Sequence, residues 1–195
     1  LSLKPGDFGA APNEFAWRHG VVKTPSHRLR ERTPEVFRPT LIGVNSPYGN
    51  TNTANTAQVP WKDRLLVTGD VGRPCEVDPY SLKFLAEVGH RKAWHDAGPF
   101  FPVLPIVTTP AHPITDPERN CIWTADYNPA TQKVAAVRID QNSQITRFPL
   151  KGATIRQTMH TVSQTRNWLL LMENGMRIDL AEMAGAPRKY TSAHW

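Results

Sequence analysis

An antiparallel all-β fold is what this sequence predicts, on three observations. From Trp61 onward, short apolar runs alternate with turn residues. The runs begin about 10 to 13 residues apart, which is typical of hairpin-connected strands in a sandwich, barrel or propeller. No stretch of about a dozen residues repeats its apolar side chains with the 3.6-residue period of an amphipathic helix. On these observations alone, all three β architectures stay open.

The first 53 residues predict an irregular, basic lead-in. Proline, glycine, asparagine and threonine are frequent over residues 1–60, so we expect loops with one or two short strands in that range. Much of the net charge of +6 comes from one basic run. Its members are Arg18, His19, Lys23, His27, Arg28, Arg30, Arg32 and Arg38. Because Pro25, Pro34 and Pro39 interrupt this run, it predicts a solvated loop, with binding to nucleic acid or to an anionic membrane surface as alternatives.

Residues 54–195 carry the predicted strands. The clearest are 64–68, 75–78, 120–127, 133–140, 145–150, 158–164 and 168–173. Residues 81–88 fit either a short strand or a helical turn. A propeller blade takes four strands and roughly 40 to 50 residues, so this chain could supply about four blades at most. We therefore expect one incomplete domain over residues 1–195, with long loops rich in proline and glycine.

Several classes of function lack their sequence signals. The longest apolar run, from Trp168 to Met172, is far too short to span a membrane. The first residues lack the apolar core of a signal peptide, and the chain starts at Leu1, so we expect a processed or truncated piece of a cytoplasmic protein. Two cysteines, Cys75 and Cys121, suit a reducing compartment better than a disulfide scaffold, with one disulfide left open.

Two of the seven histidines stand out by their surroundings. His112 lies between Pro110 and Pro113, which restrict the backbone just before a turn and a strand. His160 lies inside an apolar strand-turn-strand unit. His90, by contrast, lies in a polar stretch and predicts loop surface. From composition alone, His112 and His160 are either core residues whose ring nitrogens have hydrogen-bond partners or a pair of metal ligands.

The order of five segments resembles the carotenoid cleavage oxygenase family, which includes carotenoid and apocarotenoid dioxygenases, the retinoid isomerase of the eye and lignostilbene dioxygenases. The segments are Ala54-Asn55-Thr56, Arg64-Leu65-Leu66, the run from Asp70 to Leu82, Ala111-His112-Pro113-x-x-Asp116-Pro117, and Met159-His160 before an apolar strand. The resemblance runs from about Ala54 to Asp179, and the His-Pro-x-x-Asp-Pro box is its most specific part.

The resemblance implies a seven-bladed β-propeller, of which this chain would form about three to four blades. It also implies a single non-haem Fe(II) held by four histidines from different blades. His112 matches the first ligand, and His160, which follows 48 residues later, matches the second. Asp70 stands where the family usually has a glutamate that fixes a ligand imidazole, and an aspartate reaches less far. His194 matches neither remaining ligand.

The resemblance further implies a dioxygenase that uses O2 to cleave a conjugated carbon-carbon double bond of a carotenoid- or apocarotenoid-like substrate into two carbonyl products. We expect the chain alone to be inactive, because it carries only part of the iron site. An inactive propeller fragment that acts as a binding module is the main alternative. A stilbenoid-cleaving enzyme is a lesser one, since the lysine of lignostilbene cleavers would fall near Gly69. Nucleic acid is not expected as a partner, whereas a membrane surface near the substrate tunnel remains open.

Overall fold

The computed structural model describes residues 20–35, 45–46, 49–50, 52, 54–70, 72–94, 107–128, 131–155 and 157–175. These residues hold a helix, α1 (Pro25–Arg32), a 3-10 turn (Arg91–Ala93) and twelve strands. The strands are β1 (Asn45–Ser46), β2 (Gly49–Asn50), β3 (Ala57–Trp61), β4 (Arg64–Thr68), β5 (Cys75–Val77), β6 (Phe84–Glu87), β7 (Ile114–Asp116), β8 (Cys121–Asn128), β9 (Lys133–Asp140), β10 (Ile145–Pro149), β11 (Met159–Gln164) and β12 (Leu169–Glu173).

The strands form two complete four-stranded sheets and two hairpins. β3 to β6 pair in chain order, as do β7 to β10, and every neighbouring pair is antiparallel. β11 pairs with β12, and β1 pairs with β2. Four consecutive antiparallel strands make one propeller blade. The prediction of an all-β, partial propeller is therefore confirmed, and the sheets do not close into a ring. The predicted boundary between residues 53 and 54 stays a prediction.

Apolar side chains bind each sheet to the next. One buried cluster joins the first two sheets through residues such as Leu66, Ile122 and Val137. A second cluster, which includes Tyr127 and Met159, joins the second sheet to β11 and β12. Because successive side chains of β8 point to opposite faces, this strand supplies both clusters. Burial of one such aliphatic side chain stabilises the fold by about 1.5–3 kcal/mol.

Polar contacts also join the first two sheets. Arg64 at the start of β4 holds Glu76 with two hydrogen bonds of 2.8 and 2.6 Å. The same guanidinium donates to the Gln141 carbonyl and to the Ser143 hydroxyl, both in the turn between β9 and β10. It also lies 5.4 Å from the ring centroid of Trp61. One arginine fork therefore fixes the two blades relative to each other at this end.

The helix α1 is a difference from the sequence prediction, which took this segment as a loop. Pro25 occupies the first turn, where its missing N–H is not needed and its fixed φ favours the helix. The Thr24 hydroxyl accepts a hydrogen bond from the backbone N–H of His27 and caps the helix. Pro34 comes after the helix has ended at Arg32. The prolines bound this eight-residue helix and do not interrupt it. No helix in the described ranges is long and apolar enough to cross a membrane.

Two other open points of the sequence are settled by the described residues. The stretch 81–88 contains a strand, β6. The sequence leaves Trp94 as either a tunnel-lining residue or an ordinary packing residue, and in the structure it is a core residue whose indole N–H donates to the Val88 carbonyl over 3.0 Å. Phe100 and Phe101, for which the sequence leaves the same alternatives, and His95, which the sequence places in the same polar stretch as His90, lie outside the described residues.

Both cysteines are free and buried, which gives a testable prediction. Burial, with the negative charge of Glu87 adding to it, raises the pKa of the Cys75 thiol to about 12, and burial raises the pKa of the Cys121 thiol as well. Because the thiolate is the reactive form, we expect neither thiol of the folded protein to react with an aromatic disulfide reagent near pH 8. In guanidinium chloride, both should react. Rapid reaction of either thiol in the folded state would contradict the burial described here.

Candidate metal centre

Two histidines from successive blades lie side by side near the start of the first strands of their sheets. His112 lies just before β7, and His160 is the second residue of β11. The N–H of His112 donates to the His160 carbonyl over 2.9 Å, and the N–H of Val162 donates to the His112 carbonyl over 3.0 Å. These two bonds form a parallel bridge between His112 and Thr161. The backbone itself therefore places the two imidazole side chains next to each other.

The imidazole rings of His112 and His160 are in edge contact. Their centroids are 4.7 Å apart, and their planes make an angle of 73°. If two imidazole nitrogens bound one ion at an N–metal–N angle of about 90°, with metal–nitrogen bonds of about 2.1 Å as on zinc, the ring centroids would be about 4.5 Å apart. The observed separation therefore suits two neighbouring positions on one metal ion.

Asp70 fixes one of the two rings. Its Oδ1 atom lies 2.7 Å from Nδ1 of His160. A carboxylate only accepts hydrogen bonds, so Nδ1 of His160 carries the proton and donates it. The lone pair of the ring then stays on Nε2, where a metal can use it. The aspartate, although shorter than a glutamate, therefore reaches the imidazole.

The side chains of the site are partly exposed to solvent, whereas the neighbouring apolar cluster is buried. The side chains of His160 and Asp70 remain 41 % and 43 % exposed. Tyr127, in contrast, is buried in the second apolar cluster together with Met159, the residue before His160. Burial raises the pKa of Tyr127 to about 12, although the backbone N–H of Met159 bonds to its hydroxyl and opposes this shift. The phenol therefore stays neutral at physiological pH, and the negative charge of Asp70 adds to the upward shift of its pKa.

The residue types present fit a ferrous ion as a partial ligand set. Neutral imidazole nitrogens bind Fe(II) well, and a carboxylate on the other ring nitrogen strengthens imidazole as a donor. A group of three or more His, Cys, Asp or Glu residues able to hold a metal is not found among the residues described. His112 and His160 would therefore supply two ligands, and the others would come from outside the described residues.

Surface grooves are also present away from the histidines. One of about 240 Å³ is lined by Asp116, Arg119, Trp123 and Trp168, among others, at the end of β7 and β11 that is remote from the histidines. Its buried carboxylate, Asp116, is already satisfied by Arg119 and the indole of Trp123. The backbone N–H of Arg119 is the main cause that lowers the pKa of Asp116. This groove brings no further metal-ligating side chain to the histidine pair.

Sequence reasoning missed two residues that support the pair. Thr68 donates a hydrogen bond to the Ala111 carbonyl, immediately before His112. Tyr127 bonds through its backbone N–H to the Thr108 carbonyl, and the Thr108 hydroxyl donates to the Tyr127 carbonyl. Neither lies in a recognisable motif, and the partners are far apart along the chain. No local signal in the sequence could have identified them.

A solved structure shares this fold. The lignostilbene dioxygenase of Pseudomonas brassicacearum matches with 20 % identity and a TM-score of 0.53, over 75 % of this chain and 28 % of that one. A variant of the Synechocystis apocarotenoid oxygenase matches with 19 % identity and a TM-score of 0.44, over 66 % of this chain and 26 % of that one. The chain thus spans little more than a quarter of the length of these proteins. A search of curated proteins found no significant match.

A family model shows the relationship directly. The model for the retinal pigment epithelial membrane protein family matches residues 13–194, which is nearly the whole chain. The match includes both histidine-bearing segments and both four-stranded sheets. This chain belongs to the retinal pigment epithelial membrane protein family, that is, to the carotenoid oxygenases.

Proposed function

We propose that the protein containing this chain is a non-haem Fe(II)-dependent dioxygenase that cleaves a conjugated carbon-carbon double bond. The substrate is of the carotenoid or apocarotenoid type, and the products are two carbonyl compounds. The observation that carries the proposal is the contact between the imidazoles of His112 and His160, one of which is held by Asp70. The family supports it, because its members are non-haem iron oxygenases.

Each of the three residues has one task in this proposal. His112 and His160 would bind the metal as neutral nitrogen donors. Asp70 would keep the proton of His160 on Nδ1 and its lone pair on Nε2 throughout turnover. Ferrous iron, when bound, would supply the redox chemistry by which both atoms of O2 end up in the two carbonyl groups. All-imidazole ligation adds no negative charge to the metal, and leaves the carboxylate of Asp70 as the nearest described anion.

The family supports an apolar, conjugated substrate. Family members act on apolar carotenoid or stilbene substrates with O2. We also propose that the protein works in the cytoplasm and takes up its substrate at a membrane surface, which the free thiols and the basic lead-in support. Cell fractionation with an antibody to the chain would test this location.

Iron removal tests the function. The complete natural protein that contains residues 1–195 should cleave an apocarotenoid under O2 and lose this activity after dialysis against a ferrous chelator. Ferrous iron should restore the activity, whereas zinc should not, because zinc has no redox chemistry. The measurement is carbonyl product by liquid chromatography, with ¹⁸O2 as the label.

Other outcomes decide against the proposal. Cleavage that is unaffected by the chelator would contradict an iron enzyme. Binding of an apolar polyene without any cleavage, in a preparation loaded with ferrous iron, would favour the binding module instead. Cleavage of a stilbenoid but not of an apocarotenoid would correct the substrate class and leave the iron site in place.

A further inference from the structure

Thr68 connects the end of β4 to the segment that carries His112. It is the last residue of β4 and is 1 % exposed. Its hydroxyl donates to the Ala111 carbonyl over 2.5 Å and lies 3.2 Å from the Ala57 carbonyl. Because a hydroxyl has a single proton, the shorter and therefore stronger contact is the one to Ala111. Ala111 is fully buried and immediately precedes His112.

This hydrogen bond closes a ring of contacts around the candidate metal centre. Two residues after Thr68, Asp70 holds the imidazole of His160 over 2.7 Å. The backbone of His160 accepts the N–H of His112 over 2.9 Å. Ala111 then leads back to the Thr68 hydroxyl. Each of the three site residues is therefore fixed relative to the other two, and Thr68 supplies the only side-chain bond in this ring besides that of Asp70.

Two further hydrogen bonds join the segment that follows β4 to the segment that precedes His112. Of the bonds between these two segments, the one from the Thr68 hydroxyl is nearest to His112. The N–H of Gly72 donates to the Val107 carbonyl over 2.8 Å. The Thr109 hydroxyl donates to the Gly72 carbonyl over 2.9 Å. These bonds hold the far part of the segment, three to five residues before His112, and they remain when the Thr68 hydroxyl is removed.

We propose that Thr68 is a positioning residue of the metal centre, whose hydroxyl sets the placement of His112 relative to Asp70 and His160. The inference rests on the proposed function as far as the metal is concerned. The placement of His112 by Thr68 is inferred from hydrogen bonds within the protein, which do not involve a metal.

Thr124 on β8 provides a matched control. It is the same residue type and is fully buried, like Thr68. Within the part of the chain that the structure describes, however, its hydroxyl has no hydrogen-bond partner. Replacement of either threonine with valine keeps the side-chain shape and removes one hydroxyl. Any difference between the two valine variants therefore reports the bond to Ala111 and not the loss of a buried threonine in general.

The experiment compares Thr68→Val, Thr68→Ser and Thr124→Val in the complete natural protein. The first readout is Co(II) binding, with its affinity and visible spectrum. The second, in metal-free protein with ¹⁵N-labelled histidine, is the NMR signal of the proton on Nδ1 of His160. We expect Thr68→Val to weaken Co(II) binding about tenfold or more, to change the Co(II) spectrum and to shift the His160 signal. Thr68→Ser and Thr124→Val should both resemble the wild type.

Each possible result either supports or contradicts the proposed role of Thr68. Wild-type affinity, spectrum and NMR signal in Thr68→Val would overturn the inference, as would equal losses in Thr124→Val. If Thr68→Val does not fold, Thr68→Ala takes its place, and failure of both to fold would make Thr68 a purely structural residue and overturn the proposal. A wild-type protein that binds no Co(II) and no Fe(II) would instead remove the proposed function, and the NMR comparison would still test whether Thr68 sets the placement of His112 next to His160.

Discussion

Replacement of His160 with alanine in the complete protein is expected to remove tightly bound iron and to abolish cleavage of the conjugated double bond. The change takes away a proposed ligand, and it also leaves Asp70 without the imidazole that it holds over 2.7 Å. Loss of an outer hydrogen-bond partner costs about 10–100-fold in metal affinity or activity, and loss of a ligand should cost more. His112→Ala is expected to behave in the same way. Iron analysis and product formation under O2 measure both effects.

His90→Ala is the matched control for these two variants. His90 is exposed, and its ring accepts a hydrogen bond from the backbone N–H of Lys92 at the start of the 3-10 turn. Its removal should leave iron content and cleavage at the wild-type level. Cleavage that survives in His160→Ala, with iron still bound, would show that the ligand assignment is wrong.

Replacement of Asp70 with alanine is expected to lower iron affinity by about 10–100-fold without removing either imidazole. Without the carboxylate, nothing described in the structure holds the proton of His160 on Nδ1, so the ring can turn or carry its proton on Nε2. The Asp70→Asn variant keeps an acceptor oxygen but loses the charge that strengthens the hydrogen bond. Its affinity should therefore lie between those of the alanine variant and the wild type.

Titration of the metal-free variants with Fe(II) under anaerobic conditions measures this order. Asp63→Ala, in the exposed turn between β3 and β4, is the control and should bind iron like the wild type. Equal affinity in the wild type and the Asp70→Ala variant would mean that the contact with His160 plays no part in metal binding.

The strands that the sequence predicted well are those with long, continuous pairing. The predicted strands 64–68 and 133–140 coincide with β4 and β9. β3 lies almost wholly in the segment 1–60, where one or two short strands were expected, but it could not be located because Pro60 interrupts its apolar pattern. A proline is tolerated there because β3 pairs with a neighbour on one edge only, where a missing N–H costs little. β7 was missed because three residues are too few to show a period. The helix α1 is short and polar, so its cap and not its periodicity defines it.

The candidate site could be predicted only in part. His112, His160 and Asp70 were identified through the order of motifs, and the structure brings these three residues together. The groups that hold them in place could not be predicted, because they act through bonds between distant parts of the chain. The hydroxyl of Thr68 reaches a carbonyl 43 residues away, and Asp70 reaches an imidazole 90 residues away. Such contacts follow from how the sheets pack, which the local pattern of residues does not specify.

The iron content of the complete protein, compared with that of a His112→Ala/His160→Ala double variant, tests the central claim most directly. Both proteins would be loaded with Fe(II) under anaerobic conditions, freed of excess metal and analysed for iron, with circular dichroism to confirm folding. The account predicts about one iron per wild-type chain and essentially none in a folded double variant. A folded double variant that retains as much iron as the wild type would contradict it.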